Sequence, residues 1–130
     1  MSRSNNIQAD IDYTSGTLSS QTRYIGFLLI GTFFIFCTSE SGILFKMFNS
    51  MKNLIFFFAI LGCIAILSDL IQYFAGYQCS IKADNSEDKK YDKKWCYYKI
   101  RASAFYLKLL SSFSGSIILI YVFIRLAFNE

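Results

Sequence analysis

The 130-residue sequence contains no proline and no histidine. The absence of proline favours uninterrupted helices over the broken helices of many transporters. The absence of histidine removes the commonest general base and metal ligand that acts near neutral pH. The sequence also has no P-loop, no G-x-S-x-G motif and no metal-ligand spacing. We therefore predict that the protein is not an enzyme and holds no cofactor or metal ion.

Charged residues are nearly absent from three long apolar runs, at residues 24–45, 54–77 and 109–128. About 20 helical residues cross the roughly 30 Å hydrocarbon layer of a bilayer, and each run is that long. The runs do not alternate in polarity as membrane β-strands do. Backbone amides in lipid must also bond within their own segment. The sequence predicts an all-α integral membrane protein, with a transmembrane domain at 23–130 and spans at about 24–45, 54–77 and 105–128.

Residues 1–22 form a polar segment rich in Ser, Asn and Thr, with no sustained hydrophobic period. Such a composition is typical of a disordered or loosely docked N-terminal tail. Alternatively, the first helix begins early, with Ser19 or Ser20 as its N-cap. The apolar run that follows exceeds the roughly 7–15 residues of a signal-peptide core, so we expect it to remain as an anchor.

Lysine and arginine are distributed unequally between the two sides of the predicted membrane domain. Three spans place the N-terminal tail and the loop 78–104 on one side, and the turn 46–52 and the C-terminus on the other. The first side carries Arg3, Arg23, Lys82, Lys89, Lys90, Lys93, Lys94, Lys99 and Arg101, and the second carries Lys46, Lys52 and Arg125. The positive-inside rule therefore predicts a cytoplasmic N-terminus and loop. A bacterial inner membrane is the expected location, with the mitochondrial inner membrane as the alternative.

The second half of the long loop interleaves basic and aromatic residues. This pattern occurs in nucleic-acid contacts. Immediately before a membrane span, however, Trp and Tyr seat at the headgroup level and basic residues attract anionic lipid. We therefore predict contact with anionic headgroups and no binding of nucleic acid. The residues concerned are Lys93, Lys94, Trp95, Tyr97, Tyr98, Lys99 and Arg101.

Four cysteines divide into two pairs by position. Cys37 and Cys63 lie within spans, where we expect them to act as small packing residues. Cys79 and Cys96 bracket the long loop. They would form a disulfide if the loop faced an oxidising compartment and would stay reduced if it were cytoplasmic. Neither pair has the C-x-x-C spacing that is typical of a zinc site, so we do not expect one.

Small and polar side chains form one stripe on the second span and another on the third. Helices in lipid associate through close packing of small residues and through interhelical hydrogen bonds. We therefore predict a helix-packing face on each span, for contact within a protomer or between copies. Its residues are Gly62, Ala65 and Gln72 on the second span and Ser111, Ser112, Gly115 and Ser116 on the third.

Two charged residues lie at similar depth within the predicted spans, Asp69 in the second span and Lys108 in the third. Both lie on the order of 10 Å inside the cytoplasmic interface, at about 1.5 Å per helical residue. An ionisable group in the membrane normally has a partner. The sequence predicts an Asp69–Lys108 ion pair that joins the second and third spans, within a protomer or between neighbours. In the alternative, Lys108 snorkels to the surface and Asp69 faces water or other polar groups.

Glu40 and Arg125 lie near the opposite ends of the first and third spans. They could pair, or each could reach the headgroups independently. A ring of Glu40 carboxylates in an oligomer would instead form the mouth of a cation-selective pore.

Three helices with small and polar faces are suited to association with other helices. We predict a small non-enzymatic membrane protein that acts through helix–helix association. Its most favoured form is a homo-oligomeric bacterial inner-membrane effector, channel-like protein, or immunity or defence protein. The size and layout resemble those of immunity proteins against pore-forming bacteriocins. An accessory subunit of a larger membrane complex, such as a respiratory assembly, is the alternative.

Overall fold

The computed structural model describes residues 3–86 and 92–128, apart from the side chains of residues 3–9 and 12. Three α-helices account for almost all of this part of the chain: α1 (Arg3–Thr38), α2 (Gly42–Asp84) and α3 (Cys96–Phe128). Neighbouring helices run antiparallel. The N-terminal end of α1 therefore lies with the C-terminal end of α2 and the N-terminal end of α3.

Each helix contains a segment long and apolar enough to cross a membrane: Tyr13–Thr38, Gly42–Asp84 and Cys96–Phe128. The prediction of three such helices is confirmed, and their length and composition are those of an integral membrane protein. Large apolar side chains also cover the outside of the bundle. Phe27, Phe74 and Phe113, one from each helix, are all more than half exposed. Lipid is the environment in which this surface is stable.

The helix α1 begins about twenty residues earlier than the predicted first span. The segment predicted as a disordered or loosely docked tail is helical from Arg3 onward. Ser19 and Ser20 are consequently not N-caps but interior helical residues, and Ser20 Oγ donates to the Gly16 carbonyl at 3.2 Å. Hydropathy predicts which residues lie in lipid, and it does not predict where the helix begins. A helix without proline can continue beyond the residues in lipid, because its amides remain bonded within the segment.

The outer turn also differs from its predicted position at 46–52. The chain turns at residues 39–41, where Ser39 Oγ donates to the Ile35 carbonyl at 2.9 Å and Gly42 has a φ of 85°. This φ lies in the left-handed region that glycine adopts without steric cost. The residues of the predicted turn lie inside α2 instead.

Although the sequence has no proline, α2 is not continuous. Met51 has non-helical backbone angles (φ −119°, ψ 24°), which produce a kink. The absence of proline thus did not guarantee an uninterrupted helix. The kink lies within the polar stretch of residues 49–53. Polar side chains here can bond backbone groups that leave the helical ladder.

The connection between α2 and α3 is shorter than the predicted loop 78–104. The helix α2 continues to Asp84 and α3 begins at Cys96, so both helices extend past their apolar runs. The half-buried Trp95 lies immediately before α3, with Lys82 Nζ 5.0 Å from its ring centroid. Lys89 and Lys90, which contributed to the predicted sidedness, lie outside the described residues.

Candidate functional site

Asp69 lies at the centre of a cluster to which each helix contributes one charged side chain. Lys108 Nζ from α3 donates to Asp69 Oδ1 at 2.7 Å, and Arg23 Nε from α1 donates to Asp69 Oδ2 at 2.7 Å. Asp69 is only 3% exposed and Lys108 is fully buried. The structure thus brings together the two residues that the sequence paired, within one protomer. Lys108 does not snorkel to the surface. We refer to Arg23, Asp69 and Lys108 as the charge triad.

The buried ammonium group of Lys108 has three oxygen partners. Besides Asp69, Nζ donates to Ser19 Oγ and to Gln72 Oε1, both at 2.6 Å. An ammonium group has three N–H donors, so this set satisfies all of them. Within the described residues, no buried side-chain nitrogen or oxygen lacks a hydrogen-bond partner. This complete satisfaction allows a charged group to remain inside the bundle.

Sequence reasoning missed Arg23 and Tyr73 as members of this site. Arg23 was assigned to the basic residues at the membrane surface. In the structure, its Nη2 donates to the Tyr73 hydroxyl at 2.8 Å and its guanidinium lies 5.2 Å from the Tyr73 ring centroid. The Arg23 side chain remains 36% exposed. Arg23 therefore connects the buried Asp69 and Lys108 to the surface of the bundle.

A spacing in the sequence could have identified Arg23 as the third charge. Along the sequence, each triad residue lies 17 positions from another charged residue toward the opposite end of the bundle. These pairs are Arg23 and Glu40, Lys52 and Asp69, and Lys108 and Arg125. The interval corresponds to about 26 Å at helical rise, close to the thickness of a hydrocarbon layer. This shared spacing is the signal that groups Arg23 with Asp69 and Lys108.

The predicted small-residue faces are used inside the protomer, where both contact α1. A Cβ placed on Gly62 would lie 3.0 Å from the Gly26 carbonyl oxygen of α1. A Cβ on Gly115 would lie 2.5 Å from Leu29 Cδ1. Ser112 Oγ donates to the Thr22 carbonyl at 3.2 Å. Glycine at these positions allows α1 to approach both other helices closely.

The other residues of the predicted faces have mixed roles. Ala65 is buried and Gln72 binds Lys108. Ser111 and Ser116 donate to carbonyls of their own helix, those of Leu107 and Ser112. The contribution of α1 was not predicted. Gly26 was the available signal, since small residues mark close helix contacts in lipid.

Charged and aromatic residues at the two ends of the bundle are mainly exposed. Glu40 and Arg125 are both exposed, and no ion pair joins them within the described residues. At the other end, Trp95 and Tyr98 are half-buried. The remaining residues predicted to contact headgroups, Lys93, Lys94, Tyr97, Lys99 and Arg101, are exposed. This exposure leaves them available to the membrane surface.

All four cysteines are free, including Cys79 and Cys96, so the disulfide considered for this pair is not present. Cys79 is fully buried, whereas Cys96 is exposed at the start of α3. The two thiols therefore lie in different environments. Across the described residues, no group of three or more Cys, Asp or Glu side chains is arranged to hold a metal ion.

This difference predicts selective modification of the two thiols. In a Cys37→Ala, Cys63→Ala background, a polyethylene-glycol maleimide should modify Cys96 in folded protein and should modify Cys79 only after denaturation. The reason is that Cys79 is 0% exposed. Gel mobility after timed labelling measures the effect. Equal modification of both thiols in the folded state, or a band that shifts on reduction, would contradict this arrangement.

The fold and the site define a class: an all-helical protein with three helices long and apolar enough to cross a membrane, joined by a charge triad in the bundle. No protein family, curated protein or solved structure matches the chain.

Proposed function

We propose that this chain is a non-enzymatic membrane protein that acts by associating with a different membrane protein as a preformed three-helix bundle. One observation carries the proposal. The small and polar faces expected to drive self-association are filled by the protomer's own α1, as the Gly26–Gly62 and Thr22–Ser112 contacts illustrate. The protomer is therefore complete without a second copy, and association must use its outer surface.

A non-catalytic role is supported by the state of the charged groups in the bundle. Both carboxylate oxygens of Asp69 accept hydrogen bonds from cations, and the Lys108 ammonium has three oxygen partners. Groups engaged in this way hold helices together in a low-dielectric environment. They are not poised to take or release a proton from a substrate.

The extension of α1 favours an accessory subunit over the homo-oligomeric effector or channel. Helical residues before Arg23 are mostly polar, yet Ile11 and Tyr13 are 54% and 77% exposed. A largely polar helix that continues beyond the membrane can bridge to another protein. The channel alternative requires a ring of Glu40 residues from several copies, and the buried small-residue faces supply no contact for building one.

The oligomeric state of the isolated chain tests this proposal. When the chain is produced alone and extracted in mild detergent, native mass spectrometry should give a monomer of 15.0 kDa. In its own host, the tagged chain should co-purify with a partner in fixed stoichiometry. The double variant Ile11→Gln, Tyr13→Ser should lose that partner, whereas Phe113→Ser at the exposed α3 surface is the matched control. A defined homo-oligomer, with liposome conductance lost in Glu40→Ala, would overturn the proposal.

We also propose that the end of the bundle nearest the triad faces the cytoplasm of a bacterial inner membrane. Even when Arg23 is counted with the triad and not with the surface, this end of the bundle carries more lysine and arginine than the opposite end. An impermeant maleimide should therefore modify Cys96 in inverted membrane vesicles and not in intact spheroplasts. Glu40→Cys in a Cys37→Ala, Cys96→Ala background serves as the control and should show the reverse pattern. Modification of Cys96 in intact spheroplasts would place this end outside.

A further inference from the structure

A cleft of about 800 Å³ opens between the three helices beside the charge triad. Ser19 and Gln72, which bind Lys108, lie at its inner side, and Tyr73, which binds Arg23, also lines it. On the α3 side the lining includes Arg101. The cleft therefore connects the buried triad with a basic residue at the membrane interface.

The electrostatic balance of this cleft is positive. The triad contains two cations and one carboxylate, so it carries one positive charge in excess. Arg101 adds a second, about 10 Å away along α3. None of the described residues that line the cleft is acidic, and no described carboxylate forms an ion pair with Arg101. Asp10 lines an adjoining groove and not this cleft. A partly enclosed positive region attracts an anion more strongly than an open surface does.

The donors and aromatic groups of the cleft suit an anionic headgroup. Gln72 accepts from Lys108 through Oε1, which leaves its amide nitrogen as a donor. The hydroxyls of Tyr98 and Tyr106 and the Arg101 guanidinium provide further donors. Phe105 and the rings of both tyrosines supply apolar walls.

A glycine on α2 leaves space for the Arg101 side chain. A Cβ on Gly76 would lie 3.8 Å from Arg101 Cδ and Nε, so the arginine side chain lies against the bare backbone of that glycine. This packing positions the guanidinium at the cleft. A fork of N–H donors matches the oxygens of a phosphate or carboxylate.

We infer that this cleft is a binding site for a phosphate-type anion carried by a membrane amphiphile, with Arg101 as the principal ligand. This inference is independent of the proposed function. It differs from general surface attraction because it assigns the anion to one cleft, where Arg101 and the cleft's other donors act together. Tyr106 lines the cleft and is also 66% exposed on the apolar outer surface, where the acyl chain of the amphiphile would lie.

Lipid binding by the full-length protein in neutral detergent tests this site. Native mass spectrometry should show one retained phosphatidylglycerol and much weaker retention of phosphatidylcholine. Arg101→Gln should reduce retention by about fivefold or more. Lys99→Gln removes an equal charge from a residue that does not line the cleft and should stay within about twofold of the parent, because an isolated exposed charge contributes little in neutral detergent. Arg101→Lys keeps the charge and should retain intermediate binding.

Inorganic phosphate, added alone and as a competitor, distinguishes the source of the anion. Weak phosphate binding identifies the lipid headgroup as the ligand. Tight phosphate binding that Arg101→Gln abolishes identifies a free anion, which supports the same site. Equal losses in Arg101→Gln and Lys99→Gln, or equal retention of both lipids, would overturn the inference. Size-exclusion profiles of each variant establish whether it is folded. If Arg101→Gln does not fold, the comparison with the parent protein is made with Arg101→Lys instead.

Discussion

Asp69→Asn is expected to cause the largest loss of folded protein of any single substitution in the charge triad. It removes the one carboxylate that pairs with both Lys108 and Arg23. Lys108 is fully buried and would remain as an unpaired cation. Breaking a buried ion pair on one side costs about 3–5 kcal/mol. Fluorescence-detected size exclusion after detergent extraction should show a small monodisperse fraction and a lowered thermal midpoint.

Removal of a second charge should partly reverse this loss. In Asp69→Asn, Lys108→Met, the remaining cation is Arg23, whose side chain is 36% exposed and can reach the interface. Lys108→Met alone should be milder than Asp69→Asn, because it leaves Arg23 and Asp69 as a neutral pair. Folded fractions should therefore rise from Asp69→Asn to the double variant. If the double variant were worse than Asp69→Asn, the triad would not be the source of the effect.

A simple exchange of the two charges should fail as a rescue. Asp69→Lys with Lys108→Asp places a lysine beside Arg23, whose Nε now lies 2.7 Å from the Asp69 carboxylate. Two like charges at that distance repel strongly in a low-dielectric environment. The exchange should recover folded protein only when Arg23→Gln is also present. Full recovery without that change would show that Arg23 does not belong to the cluster.

Gly62→Leu is expected to have the second-largest effect, through the contact between α1 and α2. The first carbon of any side chain at this position would already lie 3.0 Å from both the Gly26 carbonyl oxygen and Leu29 Cβ. Neither atom is the flexible end of a side chain, so the helices themselves must separate. Overpacking of this kind costs about 1–3 kcal/mol. Separation also weakens the Arg23–Asp69 contact, which joins the same two helices.

Gly31→Leu on α1 is the matched control for this substitution. Nothing lies within 4 Å of a Cβ at Gly31, so leucine there should change the thermal midpoint little. Both variants add the same side chain to a membrane helix, and only the packing differs. Equal destabilisation by Gly31→Leu and Gly62→Leu would contradict the arrangement of α1 against α2.

The hydropathy of the sequence did not predict where the helices begin and end. Hydropathy located the apolar centres of all three helices, because lipid admits only long apolar segments with internally bonded backbones. It placed the start of α1 near Tyr24, but the helix begins at Arg3. It also placed the outer turn at 46–52 rather than at 39–41. Helical hydrogen bonding does not stop where lipid does, so a change in polarity does not mark a helix end.

Sequence alone indicated a lipid environment and predicted the pairing of Asp69 with Lys108, which the structure then chose over a snorkelling Lys108. Both follow from the free energy of placing apolar surface and charge in hydrocarbon, which depends on residue type and depth. Only the tertiary structure decided that α1 completes the site through Ser19 and Arg23. The identity of neighbours depends on where glycines let two helices cross, here at Gly26 and Gly62. Such a crossing is a property of two surfaces together, and neither helix specifies it by its own pattern.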